Sequence, residues 1–138
     1  MTAAGSAHEL SVRVYYEDTD LAGIVYYANY LKFIERGRSE WVRARGVDQG
    51  ALRAQSGIVF AVRRVEADYL RPARFGDDLI VVTRLREMAG ARIVLEQEVQ
   101  RLGERLFQAL VTLVCLTDHG HATRIPPDVR ARLMPPVH

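Results

Sequence analysis

The spacing of apolar residues predicts one strand, then one long helix, then a series of strands. Residues 11–16 alternate between polar and apolar side chains, which is typical of a β-strand, and this strand ends at the acidic residues Glu17, Asp18 and Asp20. From about Tyr27 the apolar spacing becomes helical, and Gly46 predicts the end of the helix because glycine tolerates the left-handed C-cap conformation. The apolar face of this helix comprises Tyr27, Tyr30, Leu31, Ile34, Gly37 and Trp41.

The second half of the chain predicts four strands. They comprise residues 58–69, 79–87, 92–101 and 106–116. The alternation in the first of them loses its phase at Arg63 and Arg64, which indicates a β-bulge, and Ala89 and Gly90 form a tight turn. The last strand is apolar on both faces in its second half, which favours an interior position in the sheet. A strand, one helix of about 18 residues and a four-stranded antiparallel meander predict an α+β fold.

Length and composition indicate one folded domain. We predict a single domain over residues 1–138, with an ordered core at about residues 11–118 and loose termini at residues 1–10 and 119–138. No apolar run approaches the roughly 20 residues that a bilayer requires, so no stable membrane insertion is expected. No secretory signal is visible, which favours the cytoplasm. A net charge of +2 does not indicate nucleic-acid binding.

Several common kinds of active site have no support in the sequence. The only cysteine, Cys115, lies in an apolar strand, so we expect a buried structural thiol. No histidine lies between Glu9 and Asp118, and no serine occurs in a Gly-x-Ser-x-Gly motif, so a serine triad is not expected. His119 and His121 lack further metal ligands nearby, and no phosphate-binding or dinucleotide-binding glycine motif occurs. We therefore predict neither a metal nor a cofactor.

The acidic residues before the helix allow two interpretations. Carboxylates at Glu17, Asp18 and Asp20 are typical of a helix cap that complements the helix dipole. Alternatively, Gly23 lets the backbone approach a ligand, and the free amides of the first helical turn donate to a developing oxyanion. Nearby tyrosines fit either core packing or a pocket wall. Within sixteen residues the chain has Tyr15, Tyr16, Tyr26, Tyr27 and Tyr30.

A long ordered pattern identifies a family. It reads EDTDxxGxVYYxNY at residues 17–30, FxExGRxE at residues 33–40 and DYLRPARFGD at residues 68–77. This pattern resembles the YbgC-type acyl-CoA thioesterases and the related 4-hydroxybenzoyl-CoA thioesterases, and the resemblance spans roughly residues 12–116. It implies a hotdog fold, in which a curved antiparallel β-sheet wraps around one long central helix, and a homodimer or homotetramer with active sites at the subunit interface.

The resemblance also implies a reaction. A YbgC-type enzyme hydrolyses an acyl-CoA thioester to a free carboxylic acid and coenzyme A, without a metal or redox cofactor, and acyl carrier protein is a possible alternative carrier. By this similarity Asp20 is the nucleophile or the general base, and the amide of Tyr27 polarises the carbonyl oxygen after the turn at Gly23. The choice between the two roles of Asp20 stays open.

Residues around the turn and two arginines are the expected substrate contacts. Tyr26, Asn29 and Tyr30 surround the predicted site, whereas Arg63 and Arg92 are candidates for the phosphates of coenzyme A, because the guanidinium fork suits that anion. Many YbgC-type members have histidine where this chain has Tyr27, and the 4-hydroxybenzoyl-CoA type has tyrosine. The preferred acyl group, short aliphatic or aromatic, therefore stays open.

Two other functions remain alternatives. A hotdog hydratase or dehydratase would act on the same thioesters, but these families usually rely on a histidine paired with an acid, which the interior of this chain lacks. A protein that only binds acyl-CoA or acyl carrier protein is the second alternative, although a binder has little need for the Asp20 and Gly23 pattern.

Overall fold

The computed structural model describes residues 7–134, which form one antiparallel sheet and three α-helices. The strands are β1 (His8–Arg13), β2 (Ile58–Tyr69), β3 (Asp78–Ala89), β4 (Arg92–Arg101) and β5 (Glu104–Thr117). The helices are α1 (Asn29–Ala44), α2 (Gln49–Ser56) and α3 (Pro127–Leu133). A single 3₁₀ turn, Tyr16–Asp18, precedes the first helix. The predicted α+β class is confirmed.

Helix α1 packs against β1, β3 and β4. Its buried face comprises Tyr30, Phe33, Ile34, Gly37, Trp41 and Val42. A Cβ atom at Gly37 would lie only 2.6 Å from Cγ1 of Val81, so glycine is required where the helix approaches β3 most closely. The buried amide of Gln97 donates to the carbonyl of Ile34 at 2.8 Å and to the Thr83 hydroxyl at 2.9 Å. This polar link fixes the helix on the sheet.

The strand order differs from the predicted four-stranded meander. The order is β1-β3-β4-β5-β2, so only β3, β4 and β5 follow one another as a meander, and β2 pairs with β5 at the far edge. Local periodicity carries no information about such a long-range pairing. Two finer predictions are confirmed. The register of β2 shifts between Val62 and Arg64, and β5 lies between two neighbours in the sheet.

The chain ends and one connection also need correction. The first strand begins at His8 rather than at residue 11, while residues 1–6 and 135–138 lie outside the described part. The expected loose segment 119–138 contains α3, whose Val129 and Leu133 are buried. The sequence interpretation also missed α2, which Asp48 caps by accepting a hydrogen bond from the Ala51 amide at 3.0 Å. A single domain over the whole chain stays a prediction.

Candidate active site

A short hairpin over residues 19–25 presents Asp20. Thr19 pairs with Val25, and the Asp20 amide donates to the Ile24 carbonyl at 2.9 Å. Gly23, with a φ of 78°, adopts the left-handed conformation that the turn needs. The exposed carboxylate of Asp20 accepts the Ala22 amide at 2.8 Å, and within residues 7–134 no cation forms an ion pair with it. The turn therefore orients Asp20 and leaves its second oxygen accessible.

The hairpin docks on the loop of residues 72–77. The amide of Val25 donates to the Ala73 carbonyl at 2.8 Å, and Ile24 pairs with Arg74. Asp77 closes this loop by accepting the Arg74 amide at 2.8 Å and the Arg101 guanidinium at 2.7 Å. Desolvation acts to raise the pKa of Asp77, but these hydrogen bonds outweigh it and hold the pKa below its usual value. The loop is thus anchored by an ionised carboxylate.

The carbonyl oxygen of Asp18 accepts two hydrogen bonds at the entrance to α1. This oxygen accepts both the Tyr26 amide and the side-chain amide of Asn29, each at 2.9 Å. The amide of Asn29 in turn donates to the Tyr26 carbonyl at 2.8 Å. Asn29 therefore supports the helix entrance, and its predicted contact with substrate stays a prediction.

Two consecutive peptide groups at this entrance are held through their carbonyls. The Tyr26 carbonyl accepts the Asn29 amide, and the Tyr27 carbonyl accepts the Tyr69 hydroxyl at 3.0 Å. The amides of Tyr27 and Ala28 have no hydrogen-bond acceptor among the described residues 7–134. In a trans peptide the N–H points opposite to the C=O of the same peptide group. The Tyr27 amide therefore points away from the Asn29 amide, and the Ala28 amide points away from the Tyr69 hydroxyl. Two fixed, unpaired donors of this kind suit a developing oxyanion.

Exposed aromatic rings adjoin these amides. The side chains of Tyr26 and Tyr27 are 48% and 61% exposed, with ring centroids 5.0 Å apart. The Tyr27 ring also meets Tyr69 edge to face at 6.2 Å. These rings form the side of the site that is open to solvent in a single chain.

Tyr30 lies on the buried face of α1. Its side chain is 3% exposed, and its ring stacks on Phe107 at 5.1 Å. Its hydroxyl accepts the Ala73 amide at 2.9 Å, and burial raises the pKa of the phenol. Tyr30 therefore belongs to the core and supports the loop of residues 72–77, and its predicted contact with substrate stays a prediction.

The two candidate arginines lie apart from the hairpin. Arg63 is exposed at the bulge of β2, six residues before Tyr69, which corresponds to roughly 20 Å of strand. Arg92 begins β4 and pairs with Glu87 at 2.7 Å. It is nine residues, or about 30 Å, from Arg101, which contacts the loop under the hairpin. One chain does not bring Arg92 to Asp20, and the phosphate contacts of both arginines stay predictions.

Other kinds of site have little support in the described residues. Cys115 is fully buried and burial raises the pKa of its thiol, which confirms the predicted structural role. Residues 7–134 contain no group of three or more His, Cys, Asp or Glu side chains that could hold a metal ion. No helix in this part of the chain is long and apolar enough to cross a membrane.

Comparison with known proteins identifies the family. Residues 14–133 match the model of the thioesterase-like superfamily. The chain belongs to this superfamily. A similar curated superfamily relative is the acyl-CoA thioesterase YbgC of Haemophilus influenzae, which is 41% identical over 122 residues, covering 87% of this chain and 89% of that protein. The predicted YbgC-type resemblance and the predicted thioester hydrolase are thereby confirmed.

Solved structures agree with this superfamily assignment. A probable thioesterase from Bartonella henselae is 37% identical, with a TM-score of 0.82 over 87% of this chain and 99% of the other. A mutant 4-hydroxybenzoyl CoA thioesterase, complexed with 4-hydroxybenzoyl CoA, has a TM-score of 0.88 over 94% of this chain and 99% of its own, at 21% identity. At that identity the likeness concerns the fold alone, and the predicted hotdog fold is confirmed.

Proposed function

We propose that this superfamily member hydrolyses acyl-CoA thioesters to a free carboxylic acid and coenzyme A. The observation that carries the proposal is the arrangement of one hairpin. One of its strands presents the Asp20 carboxylate, and the other leads directly to the unpaired amides of Tyr27 and Ala28. The similarity to the Haemophilus influenzae acyl-CoA thioesterase over 89% of that protein supports the same substrate class.

Asp20 would act at the thioester carbonyl in one of two ways. As a general base it takes a proton from water while the water oxygen attacks the carbonyl carbon. As a nucleophile it forms an acyl anhydride, which water then hydrolyses. In both routes the carbonyl oxygen becomes an oxyanion facing the amides of Tyr27 and Ala28. The C–S bond then breaks, and the sulfur leaves as a thiolate that is protonated to coenzyme A.

A second copy of the chain would complete the site. Strand β2 is a twelve-residue edge strand, and it exposes the apolar side chains of Val62 and Val65. A long edge strand that exposes apolar side chains among its charged ones is a template for pairing with another chain. The same strand ends at Tyr69, beside the helix entrance. We therefore expect a homodimer or homotetramer in which a second chain covers this edge.

Light scattering tests this assembly. A mass of two or four chains is expected at micromolar concentration, and Val65→Lys should lower it because a charge on the edge opposes pairing. A monomeric wild-type chain would contradict the assembly without affecting the assignment of the catalytic groups.

Thiol release from a panel of esters tests the reaction. The panel contains short aliphatic and aromatic acyl-CoA esters and an acyl carrier protein ester, and we expect turnover of at least one acyl-CoA ester. Asp20→Asn keeps an oxygen acceptor for the Ala22 amide but removes the base, so kcat should fall by about 10² to 10⁴. Asp20→Ala should be at least as impaired.

Asp78→Asn is the matched control, since Asp78 is an exposed aspartate on β3 that pairs with Arg13 outside the hairpin. It should retain wild-type turnover. Undiminished turnover in Asp20→Asn would contradict the role of Asp20. Tight binding of acyl-CoA without thiol release from any ester would instead indicate a binding protein.

A further inference from the structure

We propose that Tyr69 is a positioning residue that fixes the Ala28 amide as a second oxyanion donor beside the Tyr27 amide. This inference rests on the proposed hydrolysis and names a further pair of residues for it. Tyr69 ends β2 and is 42 residues from Tyr27 in the sequence, so its role arises from the fold rather than from the local turn.

The hydrogen bond of Tyr69 sets the orientation of one peptide group. The hydroxyl donates to the Tyr27 carbonyl at 3.0 Å, and this carbonyl shares its rigid peptide plane with the Ala28 amide. Because the N–H of a trans peptide points opposite to the C=O, fixing the carbonyl fixes the direction of the Ala28 N–H. The donation also polarises the peptide, which makes that N–H a better donor.

The ring of Tyr69 is itself held in place. It meets Tyr30 at 5.5 Å and 82°, and Phe107 at 5.0 Å and 69°, and both of these neighbours are buried. Burial raises the pKa of the Tyr69 phenol, so the hydroxyl keeps its proton at neutral pH and stays a donor. A rigid ring thus delivers a donor to the Tyr27 carbonyl without the reorganisation that a mobile side chain would need.

The peptide group between Tyr26 and Tyr27 is supported in an equivalent way, but by a local hydrogen bond. The Tyr26 carbonyl accepts the Asn29 amide at 2.8 Å, which orients the Tyr27 N–H in the same manner. One donor is therefore fixed by the helix entrance itself and the other by the edge strand β2. Since an oxyanion forms only as the reaction proceeds, loss of the second support should lower kcat and leave KM nearly unchanged.

Tyr69→Phe separates the hydroxyl from the ring. The variant keeps the aromatic contacts with Tyr30, Phe107 and Tyr27, so we expect the thermal midpoint to fall by no more than about 5 °C for the one lost hydrogen bond. With the acyl-CoA ester that the wild type hydrolyses fastest, kcat should fall about three- to tenfold at constant KM, as is reasonable for one neutral hydrogen bond that acts indirectly.

Tyr16→Phe is the matched control. Tyr16 is 82% exposed, its ring meets Phe75, and its hydroxyl has no hydrogen-bond partner among residues 7–134. This variant should keep the wild-type kcat and KM. A wild-type kcat in Tyr69→Phe would overturn the inference, as would a fall in kcat that is matched by Tyr16→Phe or accompanied by a fall in the thermal midpoint well beyond about 5 °C. An inactive wild type would overturn the proposed function itself, so the two failures are distinguishable.

Discussion

The helix-covered part of the sheet and its β2 edge are built in opposite ways. Beneath α1, strands β3 and β4 bury their inward side chains completely, as seen for Leu79, Val81, Leu95 and Val99, which are all 0% exposed. At the other edge β2 leaves Val62, Val65 and Tyr69 between 38% and 48% exposed. The first region has the contacts that hold a domain together, whereas the second has apolar surface that one chain leaves uncovered.

The candidate catalytic groups adjoin the open region. The Tyr27 carbonyl is hydrogen-bonded to the end of β2. The hairpin that carries Asp20 is attached to the core at its base, where the amide of the buried Val25 donates to the carbonyl of the buried Ala73, while Asp20 itself is exposed. Such a division lets the covered region provide stability while the open region keeps a carboxylate and two amides accessible. It predicts that substitutions in the two regions affect different measurements.

The largest effect on stability is expected from Trp41→Ala. The Trp41 side chain is 0% exposed under the helix, so its removal should lower the free energy of unfolding by about 3–5 kcal/mol. Urea unfolding measures this loss. Below the transition the folded variant should keep a near-normal KM, because Trp41 lies on the buried face of α1, three turns of helix from its start.

Tyr26→Ala is the counterpart in the open region. Because the Tyr26 side chain is 48% exposed, we expect a loss of stability below about 1 kcal/mol together with a raised KM in the thiol-release assay. The comparison between the two regions would fail if Tyr26→Ala were as destabilising as Trp41→Ala, or if Trp41→Ala changed KM more than Tyr26→Ala.

The same division explains how much of the fold the sequence predicts. The central helix and the five strands have regular apolar spacing, and each was predicted to within a few residues. Helix α2 has no buried residue and only eight residues in total, so its apolar pattern is too weak to be recognised. Helix α3 begins at Pro127 and has only seven residues, so its apolar pattern is too short to be recognised, although proline suits the first turn of a helix.

In the candidate site, the sequence predicts contacts within one turn but not contacts between distant strands. Asp20 and Gly23 belong to one turn, so the sequence predicts their proximity to the helix entrance. The bond from Tyr69 to Tyr27 joins residues 42 positions apart, and it depends on the pairing of β2 with β5 that periodicity cannot reveal. The guanidinium of Arg92 makes it a candidate for a phosphate contact, but Arg92 and Arg101 lie at the two ends of β4, and only Arg101 contacts the loop beneath the hairpin.

A further effect of similar size concerns the ionised anchor that Asp77 provides beneath the hairpin. Asp77 joins the loop of residues 72–77 to Arg101, and both side chains are partly exposed, at 22% and 27%. Asp77→Asn should therefore lower the free energy of unfolding at pH 7 by only about 1 kcal/mol, below the range for a fully buried charged hydrogen bond. Asp78→Asn, whose ion pair with Arg13 is more exposed, should have a smaller effect.

The role of the Asp77 charge is tested more sharply by the pH dependence of the stability difference between the wild type and Asp77→Asn. The pKa of Asp77 is lower in the folded chain than its usual value, because the hydrogen bonds from Arg74 and Arg101 outweigh desolvation. Its contribution is therefore complete above the usual aspartate pKa of about 4 and is lost as the pH falls through the lower folded-state value. Urea unfolding of the wild type and of Asp77→Asn should converge below pH 4. A difference that stays constant across this range would mean that Asp77 supports the loop by its shape and not by its charge.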